Sequence, residues 1–219
     1  MRLVSAMRPD GVLVYNADDE IIASQLDEVL QTRVGFGRYR KTEYFAQRDR
    51  VVYYDDRPAG MEFTITHADE SAKVIVDGTI GTQHVYACSA AIAVADRLGI
   101  ALADAVASLR TVKTPKGRMR VIPGIKASVI IDDTYNSSPV AAERALHTLH
   151  ELKGVKRRVA VLGDMLELGQ FSVREHERVG AQVAKVADIL VTVGVRARGI
   201  ARGALEHGLP ETNILQYDD

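Results

Sequence analysis

The stretch VIIDDTYNSSPVAAERAL, residues 129–146, decides the fold. A β-branched run ends in two adjacent acids, Asp132 and Asp133. Tyr135, Asn136 and two serines follow, and Pro139 opens a segment with Ala142, Ala145, Leu146 and Leu149 at helical spacing. The same alternation continues downstream. RRVAVLGD (157–164) reads as a strand and SVREHERVGAQVAKVA (172–187) as a helix capped by Ser172. DILVTVG (188–194) reads as a strand, ARGIARGALEHG (197–208) as a helix and NILQY (213–217) as a further strand. Apolar strands alternating with helices imply an α/β fold with a parallel sheet covered by helices.

Upstream the texture differs. GVLVY (11–15) is a short apolar strand, and DDEIIASQLDEVL (18–30) has helical spacing behind an acidic start. RVVYYDD (50–56), GMEFTIT (60–66) and AKVIVDG (72–78) suggest a meander. HVYACSAAIAVADRLG (84–99) is a helix rich in small residues that stops at Gly99, and ALADAVASL (101–109) is a second helix. RTVKTPKGR (110–118) is basic, contains Pro115 and Gly117 and lacks an apolar face. It marks the boundary between two domains, residues 1–113 and 114–219.

In an open parallel sheet, ligands bind beyond the carboxyl ends of the strands. Those ends carry DDTYN (132–136), GDMLELG (163–169) and TVG (192–194). Acids at two of the three argue against an anion as the sole ligand. They suit ribose hydroxyls, a cation or an ammonium group. Asp132 and Asp133 are equally explained as turn and cap residues, and Asp164 and Glu167 as a turn acid and a solvated helix start. Arg118 reads either as a surface arginine or as a ligand contact between domains.

Composition bounds the partners. The 219 residues carry 28 Lys plus Arg against 29 Asp plus Glu, so no charge surplus points to nucleic acid or an anionic membrane. The N-terminal segment lacks the apolar core of a signal peptide, and no run reaches the roughly 20 apolar residues of a membrane span. Cys88 is the sole cysteine, which fits a reducing compartment and a cytoplasmic protein, and it reads as a small buried hydrophobe. No Gly-Lys pair and no complete GxGxxG occurs, so no phosphate loop is present. His147 and His150 lie largely off the apolar stripe of their helix, which favours a solvated face over zinc ligation.

GRM (117–119), IDDTYNSSP (131–139), VLGDMLELG (161–169), SVREHERVG (172–180) and ADILVTVG (187–194), in that order, resemble the C-terminal domain of the Mur ligase family. The likeness is strongest to the branch that adds D-alanyl-D-alanine. DGVLVYNADDE (10–20) and GTQHVYACSAAIAVADRLGI (81–100) resemble the later part of that family's ATP-binding central domain. The resemblance implies a mixed sheet with helices in residues 1–113 and a Rossmann-like parallel-sheet domain, shortened at its end, in 114–219. It implies ligation of a UDP-N-acetylmuramoyl peptide to D-alanyl-D-alanine by way of an acyl phosphate, with ATP and Mg2+ as cofactors, in a monomer without nucleic-acid or membrane partners.

Carried over by residue, Arg118, Asp133, Tyr135 and His84 belong to the ATP site, with Asp133 on the ribose hydroxyls. Asn136, Asp164, Met165 and Glu167 belong to the side of the incoming amine. Asn16 and Asp18 fall in a family motif without an assigned role. The family's phosphate loop, magnesium-binding acids and modified lysine would precede residue 1, so the catalytic residues are unassigned and the chain alone is expected to be a poor catalyst. The family's adenine-side pattern, Gly-x-His-Asn-x-x-Asn, is replaced here by Gly81-Thr82-Gln83-His84-Val85-Tyr86-Ala87. The alternatives are another Mur or folylpolyglutamate synthase-like ligase, or a non-catalytic nucleotide-binding module derived from one.

Overall fold

The computed structural model describes residues 2–218. They divide into two compact units, one within 1–114 and the other within 115–219.

The first unit contains α1 (Arg2–Ser5), β1 (Val12–Asn16), α2 (Glu20–Ala23), β2 (Thr32–Gly37), β3 (Tyr44–Tyr54), β4 (Arg57–His67), β5 (Glu70–Asp77), α3 (Gln83–Arg97) and α4 (Leu102–Leu109). Its sheet runs in the order β1-β2-β3-β4-β5. The first three strands pair in parallel and the last three antiparallel, which makes a mixed sheet. The tight connections at Asp55-Asp56 and Ala68, all at positive φ, make β3, β4 and β5 a meander. Phe63 and Ile65 of β4 and Val74 and Val76 of β5 are buried, as are Val85, Ile92 and Ala93 of α3. The thiol of Cys88 is buried on the same helix, and that burial pushes its pKa up to about 11, so it behaves as a hydrophobe and not a nucleophile. Beyond α3, Gly99 adopts φ +80, and the Gly99 and Ile100 amides donate to the Asp96 and Ala95 carbonyls. This double bond is a Schellman stop, and it explains why the helix ends there.

One expected element is much shorter than its pattern. Residues 18–30 form only α2 and a single 3-10 turn, Leu26–Glu28. Asp19 caps α2 by accepting from the Ile22 amide, and Asp18 is committed elsewhere. Val29 of the apparent apolar stripe is buried, but Ile21 and Leu30 are exposed, so the stripe is not covered along its length as a continuous helix would need.

The second unit contains β6 (Arg120–Pro123), β7 (Val129–Asp132), α5 (Pro139–Glu151), β8 (Val159–Gly163), α6 (Ser172–Val186), β9 (Ile189–Val193), α7 (Arg198–Glu206) and β10 (Ile214–Tyr217). The last three strands form a parallel sheet in the order β10-β9-β8. The strand leading to the two acids is a correction to the sequence reading. β7 pairs antiparallel with β6, from Arg120 opposite Asp132 to Pro123 opposite Val129. The intervening Gly124–Ser128 turn, with Lys126 and Ala127 at positive φ, folds the chain straight back. Ser172 is corrected too: it is the first residue of α6, whose N-cap is Phe171 with no side-chain cap.

Ala142 and Leu146 of α5, Val179 and Val183 of α6, and Ile200 and Ala204 of α7 pack with Ala160 and Leu190 of the sheet. That covers one face. Register places Val161 beside Val191 and Val191 beside Leu215 on the other face. There Val161 is 65% exposed and Leu215 46%. The strands are aliphatic on both sides, as in sheets buried twice, yet the described residues cover only one. Val161→Lys is therefore expected to change stability by no more than about 0.5 kcal/mol. Leu190→Ala, on the covered face, is expected to cost about 2–5 kcal/mol in urea melts.

Candidate functional site

The exit of β7 is built by reciprocal bonds between two sequence-distant segments. Ser138 caps α5 by accepting from the Ala141 amide, and Pro139 occupies the first turn, where a missing N–H costs nothing. This fixes where the helix begins and leaves residues 132–137 as a tight connection. Asp132 Oδ2 accepts from the Gly117 amide at 3.0 Å, and its Oδ1 accepts from the Thr134 hydroxyl at 2.7 Å. The Thr134 hydroxyl, then the Gly117 amide, hold its carboxyl below the usual carboxylate range. Asp133 Oδ1 accepts from the Met119 amide at 3.0 Å, and the Tyr135 amide donates to the Gly117 carbonyl at 3.2 Å.

The segment 117–119 is thus stitched to 132–135 by backbone amides on carboxylates. Gly117, at φ +70, is required, since a Cβ there would lie 2.6 Å from the Tyr135 nitrogen. Met119 is fully buried at φ +52, which anchors the segment and turns Arg118 outward. The Arg118 guanidinium lies 4.1 Å from the centroid of the exposed Tyr135 ring, in cation–π contact. Sequence assigned Arg118, Asp133 and Tyr135 to one site, and the structure brings them together. Asn136 is exposed beside them, its side-chain oxygen accepting from the Ser137 amide.

The exit of β8 carries the second group. Asp164 Oδ1 accepts from the Ala197 amide at 2.7 Å, and its Oδ2 lies 3.6 Å from the Arg196 guanidinium. The Met165 side chain is 1% exposed and belongs to the hydrophobic core. This corrects its expected place on the amine side: the whole residue is covered, and it anchors the loop from within. Glu167 is exposed at φ +62. His176, a residue that spacing did not single out, is buried beneath this loop and accepts from the Met165 amide through Nε2 at 3.0 Å.

In the first unit, His84 Nε2 is 2.7 Å from the Thr79 hydroxyl. The motif acid Asp18 also acquires a definite place. Its Oδ2 accepts from the Arg38 amide at 2.7 Å and the Tyr86 hydroxyl at 2.9 Å, and its Oδ1 accepts from the Arg40 amide at 2.8 Å. Burial and the bond to Asp18 push Tyr86 up to about 12. The Arg38 guanidinium pairs with Asp49 at 2.6 Å. Asn16 contributes one turn bond, accepting from the Asp18 amide. No periodicity announces these bonds, because residues 38–40, 49 and 86 come from separate elements. Among the described residues no three His, Cys, Asp or Glu side chains gather as metal ligands, and no helix is long and apolar enough to cross a membrane.

Residues 117–219 match the Mur ligase, glutamate ligase domain. The UDP-N-acetylmuramoyl-tripeptide--D-alanyl-D-alanine ligase of Bacillus subtilis is 30% identical over 208 residues, covering 94% of this chain and 43% of the relative. MurF from Acinetobacter baumannii superposes with a TM-score of 0.81 at 27% identity, over 99% of this chain and 44% of that one. The Thermotoga maritima MurF ligase solved with ADP shares the fold, with a TM-score of 0.80 at 23% identity over 100% of this chain and 47% of that one. The chain therefore spans less than half the length of these relatives. Residues 117–219 are a Mur ligase, glutamate ligase domain, and the chain as a whole is similar to ligases that carry that domain.

Proposed function

We propose that this chain is the nucleotide- and amine-binding portion of an ATP-dependent ligase that joins D-alanyl-D-alanine to a UDP-N-acetylmuramoyl tripeptide. In this reading residues 1–113 are the later part of its ATP-binding domain. ATP phosphorylates the tripeptide carboxylate. The amine of the dipeptide then attacks the acyl phosphate, and inorganic phosphate leaves.

The observation that carries the reading is the stitched patch of Arg118, Asp133 and Tyr135. A guanidinium over an aromatic face, next to a carboxylate fixed by a backbone amide, offers a cation for phosphate, a ring for stacking and an acceptor for ribose hydroxyls. His84, oriented by Thr79, is assigned to nucleotide binding by the first unit. Asn136, Asp164 and Glu167 are assigned to the amine. Among the described residues no three His, Cys, Asp or Glu side chains gather as metal ligands, and in this reading magnesium arrives with the ATP phosphates.

Calorimetric titration with Mg-ATP tests this. Asp133→Asn keeps an oxygen for the Met119 amide while removing the charge offered to ribose. Loss of one charge-assisted bond is expected to weaken binding by roughly 10- to 100-fold in Asp133→Asn and in Arg118→Ala. Unchanged affinity in both would overturn the site. Gln83, His84 and Ala87 at the family's adenine-side positions favour a second reading, a nucleotide-binding module that no longer ligates. That reading requires ATP to bind while the chain, joined to the phosphate-loop segment of a family relative, forms no product.

A further inference from the structure

We infer that His176 is the positioning residue of the amine-facing loop: it sets the path of residues 164–167 by holding the Met165 amide from beneath. The inference rests on the assignment of that loop to the amine substrate.

His176 is 1% exposed, and neither ring nitrogen reaches solvent chemistry. The Met165 N–H can only donate, so Nε2, at 3.0 Å, must accept. The proton of the neutral ring therefore sits on Nδ1, which donates to the Ser172 carbonyl at 2.7 Å, one turn back on α6. The ring is locked at both ends. The base of the side chain is confined as well, since a Cβ at Gly199 of α7 would lie 2.9 Å from the His176 Cβ.

The loop above is then fixed at adjacent residues by two different elements. Asp164 is held by the Ala197 amide, ahead of α7, and Met165 by His176 of α6. Its next polar side chain, Glu167, emerges at φ +62, a conformation costly for a residue with a Cβ. A loop that tolerates that cost is over-determined by its anchors. Leu168, packed on the core, anchors the loop after the strained residue. The bond between Met165 and His176 is the side-chain anchor before it, so its geometry sets where Leu166 and Glu167 present themselves.

Two substitutions separate positioning from packing. In His176→Gln the amide oxygen takes the place of Nε2 and can still accept from Met165. In His176→Asn the shorter amide reaches only the place of Nδ1, so the Ser172 bond is kept and the Met165 bond is lost. Amide exchange at Met165 is expected to stay within about threefold of the parent in His176→Gln and to rise about tenfold or more in His176→Asn. Equal exchange in the two variants would overturn the inference, because the proposed bond separates an acceptor that reaches the Met165 amide from one that does not.

Titration with D-alanyl-D-alanine, followed by the Leu166 and Glu167 amide resonances, gives the second readout. Shifts are expected in the parent and in His176→Gln and are expected to vanish in His176→Asn. Shifts that persist in His176→Asn would also overturn it. If the parent shows no shifts while Met165 exchange still separates the variants, the amine assignment fails and His176 remains the pin of the loop.

Discussion

Gly180→Val is expected to be the most damaging single substitution in the second unit, costing about 3 kcal/mol or more in a urea melt. Gly180 of α6 faces α7. A Cβ there would fall on the Ile200 carbonyl oxygen, well inside contact, and 2.8 Å from the Ala204 nitrogen. Gly203 of α7 returns the favour, since a Cβ on it would fall on the Glu177 carbonyl. The two helices therefore meet backbone to backbone. No rotamer change relieves such a clash, because the obstructing atoms are main chain, so the helices must separate and loosen Val179, Val183, Ile200 and Ala204 together. Gly163→Ala is the control: its Cβ would meet only the Val193 oxygen, at 3.8 Å, and a change within about 1 kcal/mol is expected. Equal losses in the two variants would show that the close crossing is not what holds the unit.

The same helices show why so much of the second unit is legible in sequence. α5, α6 and α7 bury a stripe that their apolar spacing displays, and Pro139 and Gly208 mark ends by backbone chemistry that only those residues supply easily. The strands of the parallel sheet are as clear, being short and aliphatic. β6 is different: four residues with Arg120 at the start and Pro123 at the end carry no alternation to read. Its pairing turned the strand before the acids into half of a hairpin, although the local sequence fits a parallel strand equally well. β2 is obscured by its glycines, which a strand tolerates here because Glu43 crowds Gly35 and Asp18 crowds Gly37.

The candidate site divides along the same line. Arg118, Asp133 and Tyr135 lie within 18 residues of one another and are joined by bonds that short motifs can encode. The turn reading of the two acids holds, since each carboxylate accepts from a backbone amide, and the patch that these bonds shape is the one proposed for the nucleotide. Met165 and His176 could not be read this way. Met165 stands among polar loop residues but turns inward, and His176 sits on α6 with partners above it and one turn behind. Burial of one side chain in a loop is a tertiary fact, set by the space between α6 and the sheet.

Asp18 is the strongest case of a tertiary role hidden in a motif, and Asp18→Ala is expected to cost the first unit about 2–4 kcal/mol. The carboxylate gathers the amides of Arg38, Tyr39 and Arg40 and the Tyr86 hydroxyl, so its loss strands donors on a loop and on α3 together. Burial alone would raise its pKa, but the bonds from Arg38, Arg40, Tyr86 and Tyr39 together outweigh it and hold the group below its ordinary value. A carboxyl depressed in the folded state stabilises that state above the unfolded pKa, about 3.9, and the contribution fades as pH falls through the folded value. The gap between parent and Asp18→Ala should therefore be constant from neutral pH down to about 5 and close below about 4. Tyr86→Phe, which removes one of the four donors, should show a smaller loss of about 1 kcal/mol. A gap that stays open at the acid end would mean that the cost of Asp18→Ala is packing, not the charge that ties β1, the 38–40 turn and α3 to one another.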